Sequence, residues 1–121
     1  MSETVEVIEG LGIINITSVG QITENDLRHS RMSVREICRQ SGITKILVDA
    51  SGQTNRLPIM MAFNHATMLA EDEIFRKAKH AIIASENNNR ELHFLETAAF
   101  NRGVNVRLFA TRENALSWLM T

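Results

Sequence analysis

The sequence predicts an α/β fold, in which a single mixed, mostly parallel β-sheet carries an antiparallel hairpin at its N-terminal end and about four helices. Short apolar runs bounded by turn residues alternate with segments of helical periodicity from the middle of the chain onward. Two alternating runs near the N-terminus are instead joined by only a few residues, which is typical of a hairpin. Strands that alternate with helices pair in parallel through right-handed crossovers.

Length and composition limit the class of protein. We expect a single domain over residues 1–121, because this length is sufficient for one hydrophobic core. The formal net charge of −1 argues against a dedicated nucleic-acid-binding protein, and no apolar run approaches the ~20 residues that span a bilayer. Cys38 is the only cysteine, and the chain opens without a signal-peptide pattern. We therefore expect a cytoplasmic protein with no integral membrane segment.

The hairpin strands are expected near residues 4–9 and 13–17, and a helix follows them. Thr23 is a favourable N-cap for this helix, and Gly42 follows the end that we expect near Gln40. The core stripe of the helix consists of Leu27, Ser30, Val34, Ile37, Cys38 and Ser41. We interpret a second, narrow stripe as a solvated face, formed by Arg28, Arg31, Arg35 and Arg39.

The run Lys45–Val48 is the central element, which we expect to be a buried strand ended by Asp49. A polar strand-end loop over residues 49–57 then leads to a helix over 58–70. Pro58 suits the first helical position, where its missing N–H costs nothing. The remaining expected elements are a strand at 81–84, a helix at 90–101, a strand at 104–109 and a helix capped by Thr111.

Several sequence segments, together with the order of the strands and helices, resemble the SpoIIAA-like family. They are Lys45–Asp49 (KILVD), Lys79–Ile83 (KHAII), Asn101–Phe109 (NRGVNVRLF) and Glu113–Leu119 (ENALSWL), and the resemblance covers nearly the whole chain. The C-terminal part is its most specific piece. The resemblance implies the fold of the STAS domains of anti-sigma-factor antagonists, and the plan of sheet and helices is also similar to lipid-binding Sec-14 domains.

The resemblance also implies where a regulatory site would lie. In the anti-sigma-factor antagonists, a serine at the opening of the helix after the third strand is phosphorylated by a partner kinase. The matching segment here, residues 49–57, lacks the Asp-Ser-Ser-Gly pattern: Ser51 comes directly after the strand, and Thr54 lies closer to the helix. This departure argues against a kinase-controlled switch of the family type.

The strand-end loop nevertheless forms the first candidate site. Near a helix N-terminus it places a carboxylate, hydroxyls, an amide and a guanidinium, supplied by Asp49, Ser51, Thr54, Asn55 and Arg56. Such a loop can hold a phosphate or another anion, or accept a phosphoryl group at a hydroxyl. The alternative is a plain connection in which Asp49 or Ser51 bonds the local backbone.

The helix over 58–70 provides the second candidate site, because it is apolar almost all round. One face is expected to pack on the sheet, and the other carries Met60, Met61, Asn64, His65 and Met68. We expect something beyond the sheet to cover this second face. A second copy of the chain, another protein or an apolar ligand would do so, and the alternative is a segment of the same chain folding back.

The sequence assembles no catalytic or metal-binding set. The four histidines are scattered, and no cysteine or carboxylate stands at ligand spacing from them, so we expect neither a metal nor another cofactor. No nucleophile–base pair is evident either. The leading hypothesis is a non-enzymatic regulatory or interaction domain of STAS type, docking through residues 49–57 and the Met-rich helix, with a homodimer expected. The alternative is a binder or carrier of a small apolar or anionic ligand.

Overall fold

A computed structural model describes residues 2–121. The strands are β1 (Glu3–Ile8), β2 (Ile13–Gly20), β3 (Lys45–Gln53), β4 (Lys79–Ile83) and β5 (Asn105–Phe109). The helices are α1 (Glu24–Ser41), α2 (Ile59–Ala70), α3 (Glu73–Arg76), α4 (Asn89–Phe100) and α5 (Arg112–Leu119). The predicted α/β class is therefore confirmed, and the four-residue α3 adds one helix to the four expected.

The five strands form one sheet in the order β1-β2-β3-β4-β5. β1 pairs with β2 in antiparallel register, and all later pairs are parallel, as the hairpin and the strand–helix alternation predict. Strands that are consecutive in the chain are thus also neighbours in the sheet. Right-handed crossovers that always step in the same direction place their helices on the same side of a sheet.

The hydrophobic core is accordingly divided by the sheet. The larger core lies under the crossover helices, which are α1, α2 and α4. The strands contribute residues such as Ile14, Ile46 and Ile82, and the helices contribute residues such as Val34, Ala66 and Leu95. The smaller core lies on the opposite face, where α5 packs, and consists of Ile13, Leu47, Ala81, Ile83, Ala115 and Leu119. Successive strand residues point to opposite faces, which is why neighbouring residues such as Ile46 and Leu47 belong to different cores.

β3 is longer than the sequence indicates, which corrects the expected loop over 49–57. β4 pairs with β3 only as far as Asp49, but β2 continues the pairing to Gln53 after a register shift between Thr17 and Val19. Gly52 permits this close approach, because a Cβ atom there would lie 3.2 Å from the carbonyl oxygen of Ser18. The irregular connection before α2 therefore covers only residues 54–58.

Local capping signals fix the ends of α1. The Thr23 side chain accepts from the Asp26 backbone N–H, and the Asp26 side chain accepts from that of Thr23. Gly42 ends the helix with a φ of 77°, a left-handed conformation that favours glycine. Both positions are as predicted. α2 begins at Ile59, and Pro58 occupies the N-cap position rather than the first helical one.

Candidate functional site

A cavity of about 70 Å³ lies inside the larger core, between the sheet and the crossover helices. Most of its lining is apolar, with side chains such as Ile46, Leu69 and Phe75. Its polar lining is supplied by five residues: Glu3, Ser30, Arg31, Gln53 and His65. An apolar pocket with a few polar groups is the usual form of a small-molecule site.

Glu3 is the carboxylate of this cavity and is buried. Its Oε1 accepts a hydrogen bond from Ser30 Oγ at 2.6 Å. Burial raises the pKa of Glu3, while hydrogen bonds from Ser30 and Ser18 act to lower it. The sequence carried a signal for this residue, because strand alternation puts Glu3 on the same face of β1 as Val5, which packs against the larger core.

Arg31 and His65 join α1 to α2 at the same cavity. Arg31 Nη1 lies 2.8 Å from His65 Nδ1, and Arg31 Nη2 lies 3.7 Å from a carboxylate oxygen of Glu24. The Arg31 side chain is only 12% exposed, which corrects its place in the predicted solvated stripe. Burial, with a smaller contribution from the Arg31 charge, lowers the pKa of His65 to about 3.

A buried chain of hydrogen bonds continues from the cavity to the loop before α4. Gln53 Nε2 donates to Ser18 Oγ at 2.9 Å, and Gln53 Oε1 accepts from Asn88 Nδ2 at 3.1 Å. Asn88 Nδ2 also donates to the carbonyl of Ala50, and Asn88 Oδ1 accepts from the backbone N–H of Ser85. Sequence reasoning missed this network, because its members lie in three separate segments of the chain.

Of the predicted loop residues, Asp49 and Ser51 lie together within β3. Asp49 Oδ1 accepts from the backbone N–H of Ser51 at 3.1 Å and from its hydroxyl at 2.6 Å. This is the local bonding that the plain-connection alternative describes. Both residues belong to the part of β3 that extends past the predicted strand end.

The remaining three loop residues point to different surroundings. Asn55 holds the backbone of Ile22 in both directions, accepting from its N–H at 2.8 Å and donating to its carbonyl at 3.0 Å. Thr54 and Arg56 are exposed. Asn55 thus ties the connection before α2 to the connection before α1, and the structure does not gather the five side chains into one cluster.

The candidate interface residues of α2 divide into two groups. Met60, Asn64 and Met68 follow one another at a spacing of four residues and are exposed, with Met60 at 66% and Met68 at 49%. Met61 packs against the larger core, and His65 turns towards Arg31. The expectation that all five residues share one uncovered face is therefore corrected, because α2 packs mainly against α4 and meets α1 through His65.

Neither a metal-binding cluster nor a membrane-spanning helix is found within residues 2–121. No group of three or more histidine, cysteine or carboxylate side chains there could hold a metal ion. None of the helices in that range is long and apolar enough to cross a membrane. The lining of the cavity offers hydrogen bonding from a few side chains beside an apolar wall.

The arrangement of strands and helices is that of a SpoIIAA-like fold. A solved structure with this fold is similar over 97% of this chain and 91% of its own, with a TM-score of 0.63 and 19% sequence identity. That structure is of an uncharacterized protein from the DUF3478 family, from Shewanella loihica PV-4. No protein-family model and no curated protein matches this chain. The resemblance inferred from the sequence is thus confirmed at the level of the fold.

Proposed function

We propose that this protein is a non-enzymatic, cytoplasmic interaction domain of STAS type that docks through α2, with a second copy of itself as the partner. The observation that carries this proposal is the exposed stripe of Met60, Asn64 and Met68. Methionine side chains are flexible and polarizable, which suits them to adaptable protein surfaces. The exposed Thr54 and Arg56 precede this helix and would extend the docking surface, and Ser51 and Thr54 would be its positions for an anion or a phosphoryl group.

The stripe is suited to self-association because it carries no charge. If two copies of α2 packed antiparallel across a twofold axis, Met60 of one copy would face Met68 of the other. Asn64 would then face Asn64, and an amide supplies both a donor and an acceptor to such a pair. A like-charge contact would not arise at any of the three positions.

The proposal is tested by the double substitution Met60→Asp with Met68→Asp. We expect the wild-type protein to be a dimer in light scattering and the double variant to be a monomer, because two carboxylates per copy would be buried without partners. The free energy of unfolding of the monomer should change by only about 0.5 kcal/mol, since both positions are exposed. Met61 is unsuitable for this test because it packs on the core.

Met32 supplies the matched control. It is 64% exposed on α1, away from the stripe, and Met32→Asp should leave the dimer intact. A wild-type protein that is monomeric at every accessible concentration would contradict the proposal. A double variant that remains dimeric would contradict it as well.

The cavity favours a second function, and we propose it as the alternative: the binding of a small molecule beneath the crossover helices. The carrying observation is an apolar cavity whose polar lining includes the buried Glu3 and Arg31, whose side chain is 12% exposed. Buried charges are costly unless they are paired, and pockets that bind ligands are where such cost is commonly found. Native mass spectrometry of freshly purified protein should show an additional bound mass, and its absence would count against this function.

A further inference from the structure

The hydrogen-bonding groups around the cavity are unequally used, and this inequality indicates the chemistry of a ligand. Both oxygens of a carboxylate can only accept hydrogen bonds, and Glu3 already accepts one from the hydroxyl of Ser30. Ser30 has no second hydrogen to donate. Gln53 donates one of its two amide N–H groups to Ser18, and its oxygen accepts from Asn88. Of these three residues, only Gln53 therefore keeps a donor, which is the second N–H of its amide.

Arg31 and His65 differ from them, because the contact between them fixes the state of the imidazole. A guanidinium can only donate, so His65 Nδ1 must be the acceptor of the 2.8 Å contact. A neutral imidazole that accepts at Nδ1 carries its proton on Nε2. Within residues 2–121, no hydrogen-bond partner is found for that Nε2–H. His65 thus presents an unused donor whose orientation is held by Arg31.

The charges at the cavity argue against an anionic ligand. Arg31 is offset by the Glu3 carboxylate on the same cavity and by Glu24 at 3.7 Å. A second carboxylate would be buried beside Glu3 without a cation of its own, which is costly. An uncharged acceptor such as a carbonyl oxygen can receive a hydrogen bond there without that cost.

The size of the cavity limits the ligand further. A cavity of about 150 Å³ holds benzene, and this one has a volume of about 70 Å³. The ligand is therefore a molecule with fewer non-hydrogen atoms than the six of benzene. Its carbon atoms would contact apolar residues such as Ile46 and Leu69.

We infer that the cavity binds a small, uncharged carbonyl compound, whose oxygen accepts the Nε2–H of His65 and whose carbon atoms pack against the apolar wall. This inference rests on the second proposed function, because it names the class of ligand for that cavity. His65 is in this view the residue that determines specificity, and Arg31 is a positioning residue that holds its tautomer.

Three probes of nearly equal size test the inference on the full chain. Butan-2-one has the carbonyl group, 2-methylbut-1-ene replaces its oxygen by a CH₂ group, and propionate replaces the neutral head by a charged one. We expect butan-2-one to bind about tenfold more tightly than the alkene, since one hydrogen bond contributes about 1 to 1.5 kcal/mol. Propionate should bind more weakly than butan-2-one. Binding is measured by NMR titration of the methyl groups of Ile46 and Leu69.

The nitrogen resonances of the His65 ring give a readout that requires no variant. Butan-2-one should shift the Nε2 resonance of the wild-type protein, and the alkene should leave it in place. Among variants, His65→Gln keeps an oxygen that can accept from Arg31 and an NH₂ group that can donate to the ligand. It should retain the preference for the ketone, and His65→Leu should abolish it.

The possible failures are distinguishable. If none of the three probes shifts the cavity methyl groups, both the ligand-binding function and this inference are wrong. If the ketone and the alkene bind equally, the cavity is a ligand site but the role of His65 is overturned. If propionate binds more tightly than butan-2-one, the uncharged ligand class is overturned.

Discussion

Two histidines of the larger core are held without charge. His80 is buried, and its Nε2 lies 2.8 Å from the carbonyl oxygen of Phe75. Burial lowers the pKa of His80 to about 4, although the hydrogen bond to Phe75 acts in the opposite direction. The pKa of His65 is lowered further, to about 3. Protonation of either ring would place a positive charge inside an apolar core.

These pKa values predict a loss of stability in mild acid. An unfolded chain has histidine pKa values near 6.5, so between about pH 4 and pH 6.5 the unfolded state binds more protons than the folded state. Stability is therefore complete above pH 6.5 and falls as the pH decreases through this window. Each histidine should cost about 2 kcal/mol at pH 5. The free energy of unfolding from urea titrations at pH 7.5 and pH 5 measures this change.

A histidine substitution isolates the effect from other titrating groups. Glu3 acts in the opposite direction, because its raised pKa makes the folded state gain stability as the carboxyl is protonated. The charged and titratable groups that influence His65 are Arg31 and His80. His80→Gln should roughly halve the loss of the free energy of unfolding between pH 7.5 and pH 5. If the pH dependence of the free energy of unfolding is undiminished in His80→Gln, its assignment to His80 is wrong.

At the scale of the element, the buried network is what joins the extended end of β3 to the start of α4. Asn88 stands at the N-cap position of α4 but makes no side-chain bond to the helix. It is fully buried, and its side chain instead contacts Ala50, Gln53 and Ser85. The residue therefore fixes the position of a loop against a strand rather than capping its own helix.

We predict that Asn88→Ala lowers the free energy of unfolding by about 2 to 3 kcal/mol, because it leaves several buried polar groups without partners. Chemical denaturation measures the loss. The neighbouring Asn87 is exposed and provides the control, since Asn87→Ala should change stability by less than about 0.5 kcal/mol. Equal effects of the two substitutions would show that the network contributes little.

Elements with strong local signals could be predicted from the sequence, and long-range pairing could not. Thr23 and Gly42 mark the ends of α1 through their own side-chain and backbone preferences, and Thr111 marks the start of α5 in the same way. The end of β3 depends instead on whether β2 continues beside it, which no local pattern states. For the same reason, the sequence did not reveal that Arg31 meets His65.

The site itself was only partly predictable. Helical spacing identified Ser30 as a residue of the core stripe, and in the structure its hydroxyl donates a hydrogen bond to Glu3. The methionine face of α2 was predicted from helical spacing, but the division between Met60 and Met61 depends on which neighbours flank the helix. Periodicity gives the direction of a side chain around its helix, and tertiary packing decides what that side chain meets.

At the scale of the whole molecule, the open sheet has two edges, and one of them is partly protected. β5 forms one edge, and the backbone N–H of Leu108 donates to Glu96 Oε2 at 2.8 Å instead of to another strand. A side chain that occupies an edge N–H prevents another chain from pairing there. The other edge is formed by β1, the first strand of the N-terminal hairpin.

We predict that Glu96→Leu promotes association through β5, because it removes this acceptor and adds an apolar side chain beside the edge. Light scattering at increasing protein concentration should show larger species for this variant. Glu86→Leu makes the same change of side chain at an exposed position in the turn before α4 and should not associate in this way. Identical behaviour of the two variants would rule out a protective role for Glu96.

The unequal covering of the sheet has a consequence for synthesis. α5 packs on the smaller core, and it follows all five strands along the chain. The ribosomal tunnel encloses the most recently translated residues, so β1–β4 can assemble with α1 and α2 before α5 is free to pack on them. During that interval Leu47, Ala81 and Ile83 face water, and a nascent-chain chaperone would find its binding surface there.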